Sequence, residues 1–220
     1  MSSLKKNYHI LKISRNTAKI LLDKYHYLHE EGNFRSGINF GLFENQTNLL
    51  IGVIVFHTNS AKGIIKGCFG INSFKLDGFY ELGRLCMNPH KHVKNLTSYF
   101  LGNSIKLLRK IRDVKCILTY ADKDYHVGYV YQACNFLFTG LSADRVDKIS
   151  SDNKHSRHAK DATQKIRRSR KYRYVYFVGS KQDKKKFINL LRYEVLPYPK
   201  GDNKKYDAGG QVMTQPLLFA

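Results

Sequence analysis

The chain has 220 residues, with 38 Lys and Arg against 17 Asp and Glu, a formal charge of +21 and a pI near 9.8. Hydrophobic residues make up 42%, enough for one buried core at this length. No run approaches the roughly 20 apolar residues of a membrane span. The basic amino terminus has no long apolar stretch or small-residue cleavage site, so it is not a signal peptide and the chain is expected in the cytoplasm of the cell that makes it. The four cysteines, Cys68, Cys86, Cys116 and Cys134, form no C-x-x-C pair. They read as reduced and buried, not as a zinc cluster. So large a positive excess implies a polyanionic partner. Nucleic acid fits better than a membrane, because no amphipathic helix with a broad apolar face accompanies the charge.

In chain order, 8–13 alternates as a half-buried strand. Residues 14–25 follow as a helix with Ala18, Leu21, Leu22 and Tyr25 on one face and Ser14 or Asn16 as its cap. The helix runs into the cluster Tyr25-His26-Tyr27-Leu28-His29. Strands 38–43 and 49–57 form a hairpin. Residues 58–79, rich in Gly, Ser and Lys, read as a loop. Strand 79–87 is interrupted at Gly83-Arg84 and ended by Asn88-Pro89. A basic turn leads to a helix that Asn95 or Thr97 caps and that runs to about Ile111, with Leu101, Ile105, Leu108 and Ile111 as its apolar stripe.

The chain is organised around 117–140. An apolar strand, Cys116 to Tyr120, breaks at Ala121-Asp122. Gly128 opens a helix in which Val130, Ala133, Cys134 and Leu137 recur at helical spacing. A carboxylate where a strand turns into a helix sits at the open end of a rigid element, so Asp122 reads as the centre of an active site. Residues 142–173 form a basic arm too poor in apolar residues for a core, with nine Lys and Arg from Ser151 onward. An aromatic strand at 172–178, a helix at 181–192 and a tail complete one domain. The expected fold class is α/β: a mixed central sheet containing a parallel βαβ unit and flanked by helices, with the arm inserted before the last strand.

This order resembles the GNAT acyltransferase fold, whose two central parallel strands splay apart around the acyl-CoA. The run Gly128-Tyr129-Val130-Tyr131-Gln132-Ala133-Cys134-Asn135-Phe136 is similar to that fold's helix tyrosine followed by an asparagine and an aromatic. A closer resemblance is to the phage Mom family of DNA-modifying proteins. It rests on Glu81-Leu82-Gly83-Arg84, on Asn95 with Ser98 opening the Leu/Lys/Arg helix, on Tyr120-Ala121-Asp122, and on Gly128-x-x-Tyr131-Gln132-Ala133 with Phe136. A His26-Tyr27 pair is similar to one near that family's amino terminus. The resemblance implies a single GNAT-like domain over 1–220 with a partly splayed sheet. It also implies a transferase that converts the adenine N6 amine in phage DNA to a carbamoylmethyl (acetamido) derivative, protecting the DNA from restriction.

The same resemblance implies catalytic roles for Asp122, Tyr131, Arg84, His26 and Tyr27, and cofactor contacts from Asn95 and Ser98. Asp122 is the expected base or acceptor for the poorly nucleophilic N6 amine, the alternative being a turn or cap residue. Tyr131 would protonate the leaving group or pack. Arg84, in an apolar strand, needs an anion: Asp122, Glu81, or a group of cofactor or DNA. His26 and Tyr27 read as an acid/base pair, metal ligands or part of an aromatic cluster. The target adenine lies in double-stranded DNA and must be flipped out. Arg157, His158, Lys165, Arg167, Arg168, Arg170 and Lys171 of the arm are expected to grip its phosphates, the alternative being a solvated basic loop. The turn 88–95 has no glycine to cradle a pyrophosphate, so acetyl-CoA or a related donor would be held there by charge; iron is the metal the resemblance suggests. Two other functions fit the same residues: a GNAT N-acetyltransferase acting on protein or RNA, and a non-catalytic DNA-binding protein.

Overall fold

The computed structural model describes residues 2–26, 34–58, 62–70, 77–91, 93–151, 161 and 163–201. Among these residues, nine strands carry the architecture: β1 (Tyr8–Ile13), β2 (Ile38–Glu44), β3 (Leu50–Thr58), β4 (Phe79–Met87), β5 (Cys116–Asp122), β6 (Leu137–Leu141), β7 (Arg145–Ile149), β8 (Gln164–Arg168) and β9 (Lys171–Phe177). Seven form one sheet in the order β1-β2-β3-β4-β5-β9-β6, while β7 and β8 form a separate two-stranded ribbon. Among the described residues, β4 and β5 alone run parallel. The helices are α1 (Ser2–Asn7), α2 (Arg15–Tyr25), α3 (Lys62–Phe69), α4 (Leu96–Ile111), α5 (Tyr129–Ala133) and α6 (Lys181–Leu190).

The sheet is covered on both faces. Phe40, Leu42, Ile54, Phe56, Leu82, Ile117 and Ala121 point to the face carrying α4 and α5. Val53, Val55 and Cys86 point to α2 on the opposite face, and Phe79, Cys116, Leu118, Val175 and Phe177 meet α3 and α6 there. Strand β3 has both sides buried, which is why Ile51 through Phe56 is apolar without alternation. Ser14 caps α2, its Oγ accepting from Thr17 N at 3.0 Å. A capping box between Ser180 and Asp183 starts α6.

Three sequence expectations are corrected. Residues 62–69, read as loop, form α3, whose Ile64, Ile65, Cys68 and Phe69 face the core. Its glycines suggested a loop, but Gly67 serves close approach: a Cβ there would lie 2.7 Å from the Tyr193 hydroxyl. The helix opened by Gly128 has only five residues, and Leu137 belongs to β6. Asn135, at φ 60°, turns the chain left-handed and ends it. Ile111, read as part of the α4 apolar stripe, is 41% exposed, because it is the helix's last residue. The arm contains the β7–β8 ribbon.

Gly128 itself stands at φ 80°, and a Cβ would sit 2.8 Å from the Tyr174 ring and 2.9 Å from that of Tyr131. Gly128→Ala is therefore expected to destabilise the fold by at least the roughly 1–2 kcal/mol of a left-handed alanine. A denaturant midpoint unchanged from wild type would contradict this.

Candidate active site

The parallel pairing of β4 and β5 is short. It runs from Phe79 opposite Cys116 to Leu82 opposite Thr119, and there it stops. Beyond that point β4 stays with β3 as far as Met87, and β5 stays with β9 as far as Asp122. A gap therefore opens in the middle of the sheet. Gly83 marks its vertex: it is an extra residue in β4, bulged where the register against β3 shifts at Val55 and Phe56. Thr119 Oγ1 donates to Leu82 O at 3.1 Å and ties the strands together at the last paired rung.

On the α2/α3 face, His57 lies over this vertex. A Cβ on Gly83 would come within 2.3 Å of His57 Nε2, so only glycine leaves room for the ring. His57 Nδ1 is 2.8 Å from the Thr58 carbonyl. A carbonyl only accepts, so Nδ1 carries a hydrogen, and Nε2 is the ring nitrogen left to accept a proton. Among the described residues no hydrogen-bond donor is set against that Nε2. The strand register puts Glu81, Arg84, Tyr120 and Asp122 on the same face. The sequence reading passed over His57, although a titratable residue ending an apolar strand is the signal that singled out Asp122.

On the other face, Tyr131 approaches the same rung. It is buried against Phe136 and Tyr174, with ring centroids at 5.7 and 5.4 Å. Burial raises its pKa, and a hydrogen bond with the Thr119 side chain only partly offsets that, so the phenol remains protonated at neutral pH. Its environment suits a proton donor. The first turn of α4 lies on this face. Asn95 stands at φ 63°, Ser98 Oγ donates to Asn95 O at 3.0 Å, and Cys134 Sγ from the end of α5 contacts Ser98 O at 3.4 Å. In the preceding turn Lys91 is paired with Glu44 at 2.9 Å, while Lys94 is exposed.

Asp122 and Tyr131 thus lie on opposite faces of β5. The Asp122 carboxylate, 5% exposed, is committed to its surroundings: Oδ2 accepts from Ser169 Oγ at 2.7 Å and Lys171 Nζ at 3.3 Å, and Oδ1 from Asp124 N at 3.1 Å. The ion pair joins β5 to β9 and to the base of the ribbon. Its partner is Lys171 and not Arg84, whose Nη1 donates to Gly83 O at 2.9 Å. His26 is buried at the end of α2, its N–H bonded to Leu22 O, and the adjacent Tyr25 meets His90 edge-on at 6.2 Å. Tyr27, Arg157 and His158 lie outside the described residues. Lys165, Arg167 and Arg168 are on β8; Arg170, bonded through Nε to Ser142 O, and Lys171 are at the ribbon's root. Among the described residues no group of three or more His, Cys, Asp or Glu is placed to hold a metal ion. Nor is any described helix long and apolar enough to cross a membrane.

His126 completes the Asp122 turn, its N–H bonded to Asp122 O at 2.9 Å. Burial lowers its pKa, the Asp122 charge pulls it back up and Lys171 pushes it down. The unfolded chain therefore takes up this proton at a higher pH than the folded one. The corresponding stability is complete above the unfolded value near 6.5 and is lost as pH falls toward the folded one. The melting temperature is expected to fall between pH 7 and pH 5, and His126→Gln to flatten that fall. Parallel curves for wild type and variant would refute it.

Several solved acetyltransferase structures are similar to the chain. Arabidopsis thaliana NAA60 in complex with acetyl-CoA superposes with a TM-score of 0.50 at 12% identity, covering 78% of this chain and 98% of that one. A GNAT-family acetyltransferase from Bacillus anthracis gives 0.48 at 15% identity, over 78% and 95%. The ribosomal-protein-S18-alanine N-acetyltransferase of Escherichia coli gives 0.49 at 10% identity, over 79% and 95%. The sheet with its splayed central pair is the GNAT fold. No curated protein sequence matches the chain. A family model described as the Mom protein family matches residues 7–200.

Proposed function

The chain belongs to the Mom protein family, and from that premise we propose that it modifies DNA, transferring a carbamoylmethyl group to the N6 amine of a flipped adenine and so shielding the DNA from restriction. The observation that carries this reading is the fork between β4 and β5. It offers an imidazole nitrogen on one face and a protonated phenol on the other, beside an exposed cationic ribbon.

The chemistry assigns a role to each group. The N6 lone pair is delocalised into the purine, so attack on a carbon electrophile needs its proton removed as the new N–C bond forms. His57 Nε2 accepts that proton. The leaving group departs with the electrons of the broken bond and takes a proton from Tyr131. Asp122 does not serve as the base, because its carboxylate is occupied by Ser169, Lys171 and the Asp124 N–H; it positions the end of β5 against the ribbon. The donor must carry its leaving group on the CH2 carbon of a carbamoylmethyl unit, because attack on the thioester carbonyl of acetyl-CoA would give an N6-acetyl product; it enters from the α4 face. There the first turn at Asn95 and Ser98 and the Lys94 charge suit anionic groups of such a donor.

Nucleosides from DNA of bacterial cells expressing the protein provide the test. The expected result is a deoxyadenosine heavier by one carbamoylmethyl group in place of a hydrogen, absent from cells carrying an empty vector. Unmodified adenine beside soluble, folded protein would overturn the proposal. An N6-acetyl product would keep the site and replace the donor chemistry by simple acyl transfer.

A further inference from the structure

We propose that the β7–β8 ribbon is a major-groove probe, inserted into duplex DNA with the face of Val146, Lys148, Lys165 and Arg167 toward the bases and phosphates. This rests on the DNA-modifying reading above and names the surface that presents the duplex to the fork.

The two strands pair antiparallel, Val146 opposite Arg167 and Lys148 opposite Lys165, so these four side chains share one face. All four are exposed. The other face carries Arg145, Asp147 and Ile149 of β7 and Gln164, Ile166 and Arg168 of β8, and there Arg168 approaches Asp147 at 3.6 Å. The strand alternation has sorted the ribbon's one internal carboxylate away from the outer face. That leaves three cations around a valine that is 58% exposed. Arg167 is held by Asp144 just beyond the strand, through Nε at 3.2 Å and Nη2 at 2.5 Å. This fixes the guanidinium outward while using two of its five N–H donors.

A lone two-stranded ribbon is marginal in water and gains nothing by displaying an apolar residue amid like charges. Its root, in contrast, is built firmly. Ser169 and Lys171 bond the Asp122 carboxylate, Arg170 Nε donates to Ser142 O at 2.9 Å, and Lys171 N donates to Ser142 Oγ at 2.9 Å. A firm root under an exposed, cationic blade describes an element that enters something anionic. The major groove is wide enough for a two-stranded ribbon, and the thymine methyl groups there suit a valine. The adenine N6 amine also projects into that groove. The Asp122 clasp ties the ribbon's root to the carboxyl end of β5, so a groove-bound ribbon sets the target base beside the gap.

The test uses the full chain and a fluorescent duplex, with affinity measured against salt. The variant Lys148→Gln/Lys165→Gln/Arg167→Gln is expected to lower the slope of log affinity on log salt by about 2–3, at about 0.9 per lost phosphate contact. A Lys148→Arg/Lys165→Arg/Arg167→Lys control, which keeps the charges, is expected to retain the slope and so exclude misfolding as the cause. Bulky substituents at pyrimidine C5, which fill the major groove, are expected to weaken wild-type binding at least 10-fold; a minor-groove ligand is not. An unchanged slope in the glutamine variant, indifference to the C5 substituents, equal affinity for single strands, or preference for anionic phospholipid vesicles would each overturn the proposal. Nucleoside analysis separates the two readings. Modified adenine with an unchanged slope refutes the ribbon alone, and groove-dependent binding with no modified adenine refutes the transferase alone.

Discussion

Replacing His57 by glutamine is expected to lower adenine modification by about 10²–10⁴-fold, the contribution of a positioned general base. Glutamine fills most of the imidazole volume and can keep a bond to the Thr58 carbonyl, but it has no basic nitrogen to set over Gly83. Duplex affinity and its salt slope are expected to match wild type, because the ribbon is untouched. Single-turnover rates with DNA in excess separate the two effects. His57→Ala offers an independent readout: it opens a hole over the vertex that added imidazole can enter, and imidazole is expected to restore part of the lost rate in a concentration-dependent way. A glutamine variant as active as wild type would remove His57 from the chemistry. The weight would then return to the Asp122 side of the strand, where the competing donors Ser169 and Lys171 would first have to move away.

Gly83 belongs to the same prediction. A methyl group there would collide with Nε2 at 2.3 Å and push the ring from the vertex. That steric link explains a feature visible in the sequence without its cause. Glu81-Leu82-Gly83-Arg84 reads as an interrupted strand, and the interruption is the bulge that lets β4 leave β5. What the sequence could not supply was the partner of that glycine, because His57 lies 26 positions earlier on the neighbouring strand.

The legible parts of the fold share a physical origin. The Ser14 cap, the Leu101, Ile105 and Leu108 stripe of α4 and the apolar run of β3 are local patterns, and they appear in the structure where the sequence places them. The illegible parts depend on contacts between distant segments. Helix α3 contains Gly63 and Gly67, which argue locally for a loop, and only the Tyr193 hydroxyl pressed against Gly67 explains one of them. The ribbon strands carry the alternation of a β-hairpin, but with so few apolar residues that the pattern reads as a charged arm. The candidate site divides in the same way. Asp122 and Tyr131 were found as sequence neighbours, yet a β-strand sends alternate side chains to opposite faces, and α5 packs on the face that Asp122 does not share. Their proposed functions separate for that reason, the carboxylate as a clasp and the phenol as an acid.

The phenol gives the second large prediction. Tyr131→Phe is expected to leave the fold nearly intact, since the ring keeps its contacts with Phe136 and Tyr174 and only one hydroxyl contact, to Thr119, is lost. The stability change should be about 1 kcal/mol. The rate should fall by about 10²-fold or more, because the leaving group then departs without a positioned proton. The loss is expected in kcat and not in the KM for DNA, since Tyr131 lies on the face away from the ribbon. The direction of its pKa shift gives a further check. Burial disfavours the phenolate, so the alkaline limb of the wild-type pH–rate profile should lie above the ordinary tyrosine value near 10. The stability linked to Tyr131 is likewise present below that value and lost as pH rises through the folded pKa. A donor whose leaving group is stable as an anion should be affected less by the mutation than one whose leaving group must be protonated. Comparing donors of graded leaving-group basicity in wild type and Tyr131→Phe therefore tests the proton-transfer role directly: equal losses across the series would mean that the hydroxyl supports the fork and gives up no proton.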